Sequence, residues 1–275
     1  MENLKITFIG GGNMARSLIG GLVADGYDPA LIRVADPDEQ QRRFLQARFG
    51  IHALAANDEA VANADVVVLA VKPQVMKQVA MALAPRLAPS PPLVISIAAG
   101  IRETDLDRWL GEQVPLVRAM PNTPAMVQSG ATALHANARV SDAQREAAEF
   151  VMRAVGLTVW LQDEALMDAV TALSGSGPAY IFLVMEALEA AGRELGLDPE
   201  TARLLTLQTT FGAAKMALET AEDSATLRRR VTSPGGTTER AIAVLEEGGL
   251  AELFQRALKA AHDRAEELAR LLGEK

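Results

Sequence analysis

The stretch KITFIGGGNMARSLIGGL, Lys5 to Leu22, decides how the first half of this 275-residue chain folds. Lys5–Ile9 is a short apolar run rich in β-branched residues, the mark of a buried strand, and from Asn13 apolar residues recur at helical spacing. Between them stands Gly10-Gly11-Gly12-Asn13-Met14-Ala15, a strand-to-helix turn with the G-x-G-x-x-A spacing of a dinucleotide-binding loop. Gly10 permits the tight turn. Gly12 lets backbone N–H groups approach a pyrophosphate, whose charge a helix N-terminus favours. Ala15 is small enough for the helix to pack close to the strand. Gly10 through Ala15 are therefore assigned to cofactor contact.

Working outward, the same alternation of strand and helix continues. Further strands are expected at Ile32–Ala35, Val66–Val71, Leu93–Ile97 and Leu116–Arg118, with Ala131–His135 and Thr158–Leu161 extending the sheet. The runs near Val66 and Leu93 are apolar on both faces, as a strand covered on both sides must be. Ser141 with Gln144 makes a capping box for a helix to about Val155, ended by Gly156. Pro85 to Pro92 holds four prolines and reads as a loop. The fold class is an α/β Rossmann domain, doubly wound around a mostly parallel sheet, followed by an all-α domain.

Past about Asp163 strand runs vanish, and alanine, leucine and glutamate dominate at helical spacing. The expected division is 1–163 for the dinucleotide domain and 164–275 for a helical substrate and dimerisation domain. Asp198-Pro199 caps and starts a helix towards Thr220. Another runs from Gly235–Thr238 to about Glu247, stopped by Gly248-Gly249, and Leu250 to Leu272 forms the last.

Composition narrows the function. A net charge of −8 speaks against nucleic acid as a partner, and the Arg228-Arg229-Arg230 run reads as a solvated helix face. Zero cysteines exclude disulfides, thiolate catalysis and cysteine-ligated zinc, and no metal is expected. No signal peptide or membrane span is read in the sequence, so a soluble, cytoplasmic protein is expected.

Asp36 ends the second strand about twenty residues past Ala15, where a carboxylate accepts from the adenosine ribose 2′-OH and repels a 2′-phosphate. Arg33, Arg42 and Arg43 nearby would instead accommodate that phosphate, and Asp36-Pro37-Asp38 also reads as a plain turn. The choice between NADP(H) and NAD(H) stays open. Asn57, in the next strand-to-helix loop, is placed near the same ribose. Ala70-Val71-Lys72-Pro73 and Ala98-Ala99-Gly100 end two central strands, where ligands bind in open α/β sheets. Small residues there admit the nicotinamide half, and Lys72 brings a cation.

Three further segments are unusual for plain structure. Arg118 to Pro124 ends a strand with prolines flanking Asn122-Thr123. Ser174-Gly-Ser-Gly-Pro178 and Thr232-Ser-Pro-Gly-Gly-Thr-Thr238 each precede a helix with hydroxyls and glycines, so their free N–H groups suit a carboxylate. A cofactor loop near one end and these segments near the other suggest a two-domain redox enzyme with its substrate between the domains.

In order and spacing, GGGNMA, AVKP, SIAAG, RAMPNTPA, ALSGSGPAY and VTSPGGTT resemble the pyrroline-5-carboxylate reductase family, from about residue 5 to residue 270. The resemblance implies reduction of Δ1-pyrroline-5-carboxylate to L-proline with NAD(P)H, the last step of proline biosynthesis. It also implies a helical domain that interlocks with a second subunit, giving a homodimer that assembles further. Many members carry serine, or an Asn-Arg or Ser-Arg pair, near Asp36, so the aspartate here departs from the usual NADPH pattern. On this resemblance Thr238 contacts the ring nitrogen. Ser233, Pro234 and the N–H groups around Gly235, Gly236 and Thr237 hold the carboxylate, helped by Ser176 and Gly177. Lys72, Met120, Pro121 and Asn122 shape the pocket near the nicotinamide, with Lys72 and Thr238 as the catalytic pair.

Two other readings compete. A β-hydroxyacid dehydrogenase would want a lysine with asparagine four residues on, but Lys215 is followed by Glu219. A non-catalytic dinucleotide sensor would show a degraded substrate loop, and here those segments are intact.

Overall fold

The computed structural model describes residues 3–273. Eight strands form one sheet in the order β3-β2-β1-β4-β5-β6-β7-β8. Chain order runs β1 (Ile6–Ile9), α1 (Asn13–Ala24), β2 (Ile32–Ala35), α2 (Glu39–Phe49), β3 (His52–Leu54), α3 (Asn57–Ala60), β4 (Val66–Leu69), α4 (Pro73–Leu87), β5 (Leu93–Ser96) and α5 (Glu103–Leu110). It continues with β6 (Leu116–Met120), β7 (Gly130–Ala136), α6 (Asp142–Arg153) and β8 (Gly156–Trp160). All pairings are parallel except β6 with β7.

Alternating residues of the central strands feed two cores, one on each face of the sheet. Phe8, Val66 and Val68 enter one, while Ile9, Val67 and Leu69 enter the other. That is why these strands read as unbroken apolar runs.

One strand was not expected, and two local expectations are corrected. β3 has no β-branched residue and little burial, and it forms because the open edge of β2 pairs with it, Val34 against Ala53. α4 continues through Pro85, which leaves the Met81 carbonyl without its i→i−4 donor, and the helix ends two residues later at Leu87. Gly156 opens β8 rather than ending α6, which stops at Arg153. It faces Gly130 at φ +146°, where a Cβ would lie 2.0 Å from the Gly130 carbonyl oxygen. The capping box of Ser141 and Gln144 is present as expected.

After β8 come α7 (Leu166–Val170), a π turn over Thr171–Gly175, α8 (Gly177–Glu194), α9 (Pro199–Leu218), α10 (Ser224–Arg230), α11 (Thr237–Glu247) and α12 (Leu250–Gly273). Contacts divide the chain into Met1–Ser176 with Ala261–Lys275, and Gly177–Ala260. The composition change near residue 163 marks the end of the strands. The contact division comes later because Met167 and Ala172 are buried with the first unit, and the end of α12 packs there through Leu272. In the second unit α8 has no buried residue, and Phe182, Leu183, Leu204, Leu205 and Phe211 stand exposed. Among the described residues no helix is long and apolar enough to cross a membrane.

Candidate active site

β1 is flanked by β2 and β4, so the chain reverses its direction of sheet growth beside β1, and the glycine turn lies at that switch point. Gly10 has φ +98°, and a Cβ there would lie 2.8 Å from the Ala70 carbonyl oxygen. Its N–H donates to the Ala35 oxygen and that of Ala70 to the Ile9 oxygen, both at 2.8 Å. The turn and the Ala70-Val71-Lys72-Pro73 segment are thereby brought together. Gly12 is the N-cap of α1 with no side chain capping it, so the N–H groups of Asn13, Met14 and Ala15 open the helix without an intrahelical acceptor. A Cβ on Gly12 would meet nothing within 4 Å. Open space over uncapped N–H groups fits a pyrophosphate, so these residues suit a dinucleotide.

Asp36 does more than its position in sequence indicates. Its Oδ2 accepts from Gly11 N–H at 2.7 Å and its Oδ1 from Asp38 N–H at 2.8 Å. Its own N–H donates to the Leu54 oxygen at 3.1 Å, which sets the ends of β2 and β3 side by side, with Asn57 starting α3 on the same edge. Arg33 is turned to the Ala62 oxygen at 2.8 Å and Arg43 to Glu39 at 2.5 Å. Only Arg42 of the three stays at Asp36, donating to its carbonyl oxygen at 2.7 Å.

Lys72 is the exposed N-cap of α4, with Pro73 the first helical residue. Ala98 is buried after β5, and Ala99 is exposed. A Cβ on Gly100 would meet Leu272 Cδ1 at 3.4 Å, so this glycine faces α12 rather than open space.

The strand end at Met120-Pro121-Asn122 is a structural joint. Asn122 Nδ2 donates to the Ser174 oxygen at 3.1 Å, and its Oδ1 accepts from Ala131 N–H at 2.9 Å. Gly175 admits Met120, whose Cε would sit 2.6 Å from a Cβ there. Ser176 N–H donates to the Thr171 oxygen at 2.9 Å, closing the π turn. The expectation of free N–H groups at Ser174 to Gly177 is thus corrected for Ser176. α8 begins at Gly177 just after this π turn, so the segment precedes a helix as expected, but with the Ser176 N–H already taken.

In the second unit, Ser233 to Thr238 does open a helix. Gly236 is the N-cap of α11, without a side chain on it, and Gly235 has φ +72°. Gly235 N–H is bonded to Glu239 Oε2 at 2.7 Å, and Gly236 N–H to the Ser233 oxygen at 3.0 Å. The two glycine N–H groups expected to hold a carboxylate are therefore already bonded, and Thr237 and Thr238 N–H are left in the first turn. The sequence reading passed over Glu239; an acid three residues past an N-cap was the signal. Arg228 pairs with Glu246 at 2.6 Å and Arg230 with Glu222 at 2.5 Å, an exposed charged face as expected.

A part-buried charge cluster was also missed. Arg118 of β6 is ion-paired with Glu164, which also accepts from Glu103 N–H. Glu103 in turn lies 3.2 Å from His135, the cross-strand neighbour of Arg118. Burial pushes the Glu103 carboxyl up, with nearby Glu164 adding to the effect. Burial also raises Asp168, against the opposing pull of Arg118, Arg102 and His262.

A family model described as pyrroline-5-carboxylate reductase dimerisation matches residues 164–268, and one described as NADP oxidoreductase, coenzyme F420-dependent, matches residues 5–100. Pyrroline-5-carboxylate reductase from Pseudomonas aeruginosa is 56% identical over 274 residues, covering 100% of both chains. This chain belongs to the pyrroline-5-carboxylate reductase family. The solved structure of the Coxiella burnetii pyrroline-5-carboxylate reductase superposes with a TM-score of 0.94 at 53% identity, covering 97% of this chain and 98% of that one. Pyrroline carboxylate reductase from Plasmodium falciparum, solved with NADP bound, superposes at 0.86 with 28% identity, covering 98% and 99%. The family's dimerisation region therefore covers most of the second half of this pyrroline-5-carboxylate reductase family member and includes α8, α9 and α11.

Proposed function

We propose that this chain reduces the cyclic imine of Δ1-pyrroline-5-carboxylate to L-proline, the last step of proline biosynthesis, using NADPH or NADH. The observation that carries the reading is the likeness to the Pseudomonas aeruginosa pyrroline-5-carboxylate reductase, 56% identical from end to end. Two uncapped helix starts support it, α1 for a pyrophosphate and α11 for a carboxylate.

When bound, the reduced dinucleotide supplies the hydride that adds to the imine carbon. The chain's own residues bind and orient. The N–H groups of Asn13, Met14 and Ala15 receive the pyrophosphate, with Asp36 and Asn57 at the ribose. Ala70 to Pro73, Ala98 and Ala99 border the nicotinamide half, with Lys72 as the cation beside it. Met120, Pro121 and Asn122 shape that pocket, with Ser176 and Gly177 on the substrate side. Ser233 and Pro234 frame the α11 loop, whose N–H groups and the Ser233 hydroxyl hold the substrate carboxylate. The Thr238 hydroxyl contacts the ring nitrogen, where positive charge on the protonated imine favours hydride addition. A cyclic imine takes its proton from water, so none of the three histidines is needed as an acid. As hydride adds to carbon, the C=N π pair moves onto nitrogen, which keeps its proton and becomes the amine of proline. Catalysis is then positioning and electrostatics.

The working unit in this reading is a homodimer that assembles further. Exposed apolar residues of α8 and α9 support it, since a monomer would leave them in water. Sedimentation at micromolar concentration tests it, and a purely monomeric species would sink it. The reaction runs in the cytoplasm, where reduced dinucleotides are kept, and cell fractionation checks this. For the activity, purified protein with the imine acid and NADPH or NADH should lose absorbance at 340 nm and form proline. No turnover with either cofactor, despite cofactor binding, would return the sensor reading.

A further inference from the structure

Glu239 places a carboxylate on the loop that the proposed function gives to the substrate carboxylate. Its Oε2 accepts from Gly235 N–H at 2.7 Å, although Glu239 itself is exposed and belongs to the first turn of α11. A charged acceptor on an amide at a helix N-terminus is a strong hydrogen bond, favoured also by the helix dipole. The remaining amide contact in the turn, Gly236 N–H to the Ser233 oxygen, comes from the backbone and is fixed by the turn itself. The Gly235 amide is thus the one donor of this loop held by a side chain, which can leave it by rotating.

We propose that Glu239 is an internal stand-in for the substrate carboxylate. It holds Gly235 N–H in the free protein and must swing off when a carboxylate-bearing ring binds. The contact keeps Gly235 in its left-handed conformation, φ +72°, between turnovers. It also sets a negative charge beside an incoming anion, so the loop is preformed at the expense of substrate affinity. The inference rests on the function proposed above and adds a specificity-determining residue to it.

The test compares Glu239→Gln and Glu239→Ala with wild type in steady-state assays. Glutamine keeps a weaker, neutral acceptor, and alanine keeps none. KM for pyrroline-5-carboxylate should fall about three- to tenfold, more for alanine than for glutamine, the net range of one solvent-exposed hydrogen bond that no longer has to be displaced. KM for the dinucleotide should not move. The carboxylate-free ring imine 1-pyrroline should show no such gain, because nothing on it competes with Glu239. A general weakening of the fold raises KM, so a fall is a result that damage cannot produce. An unchanged or raised KM in both variants, or an equal gain with 1-pyrroline, overturns the role of Glu239 while leaving the reductase reading intact. No turnover of pyrroline-5-carboxylate by wild type overturns both.

Discussion

The backbone N–H of Gly11 donates to Oδ2 of Asp36 at 2.7 Å, so one carboxylate ties the end of β2 to the cofactor turn. Asp36 therefore serves the loop before it reads any ribose. Asp36→Ala should weaken both NADH and NADPH, each by about ten-fold or more, since a hydrogen bond to a charged group is lost. Asp36→Asn keeps an acceptor and removes the charge, so it should raise kcat/KM for NADPH relative to NADH by about five-fold or more. Titration of both variants with each cofactor checks this, and an unchanged ratio in Asp36→Asn would show that its charge reads nothing.

Gly10 and Gly12 should respond differently to alanine. Gly10→Ala forces a side chain into φ +98° and against the Ala70 oxygen, costing about 1–3 kcal/mol from backbone strain alone and lowering Tm. Gly12→Ala meets no protein atom, so Tm should hold while dinucleotide affinity drops. Equal Tm losses in the two variants would contradict the assignment of that open space to a ligand.

Thr238→Ala should lower kcat/KM by about ten- to a thousand-fold, the range for one positioned hydrogen bond to the reacting group. A variant within about twofold of wild type would remove Thr238 from the mechanism.

Arg118 is buried in β6 against Glu164, with Glu103 and His135 alongside. Arg118→Met leaves Glu164 without its partner and should cost about 3–5 kcal/mol. Adding Glu164→Gln should recover part of that loss, because the unpaired charge disappears with it. Urea unfolding of the single and double variants measures both, and additive losses would disprove the coupling.

Burial raises the Glu103 carboxyl above its ordinary 4.5. A raised pKa means the folded chain holds the proton more tightly than the unfolded one, so stability from this group is full below the ordinary carboxylate range. That stability is lost as pH rises through the folded value. Glu103→Gln cannot titrate, so its stability relative to wild type should climb from about pH 4 to pH 7. Urea unfolding at several pH values reads the difference, and a flat or falling trend would refute it.

By itself the sequence determined the parts of this protein that depend on neighbours along the chain. Val66–Leu69 and Leu93–Ser96 read as doubly covered strands because alternate residues enter two cores. Ser141 with Gln144 and Asp198 with Pro199 announced their helices because caps are bonded within a few residues. The spacing of Gly10, Gly12 and Ala15 announced the cofactor turn for the same reason. Tertiary structure decided what depends on which distant group arrives. β3 exists because β2 offers it an edge, and Asp36 is bonded because the Gly11 amide meets it between the neighbouring ends of β1 and β2. Asn122 is consumed by Ser174 and Ala131, and Arg118 has a carboxylate partner because Glu164, past β8 in the chain, comes back to it. Hydroxyls and glycines before a helix looked alike at Ser174 and Ser233. The structure separates them by which N–H groups remain: the π turn takes that of Ser176, while the Ser233 oxygen and Glu239 take those of Gly236 and Gly235 and leave the first-turn N–H groups of Thr237 and Thr238.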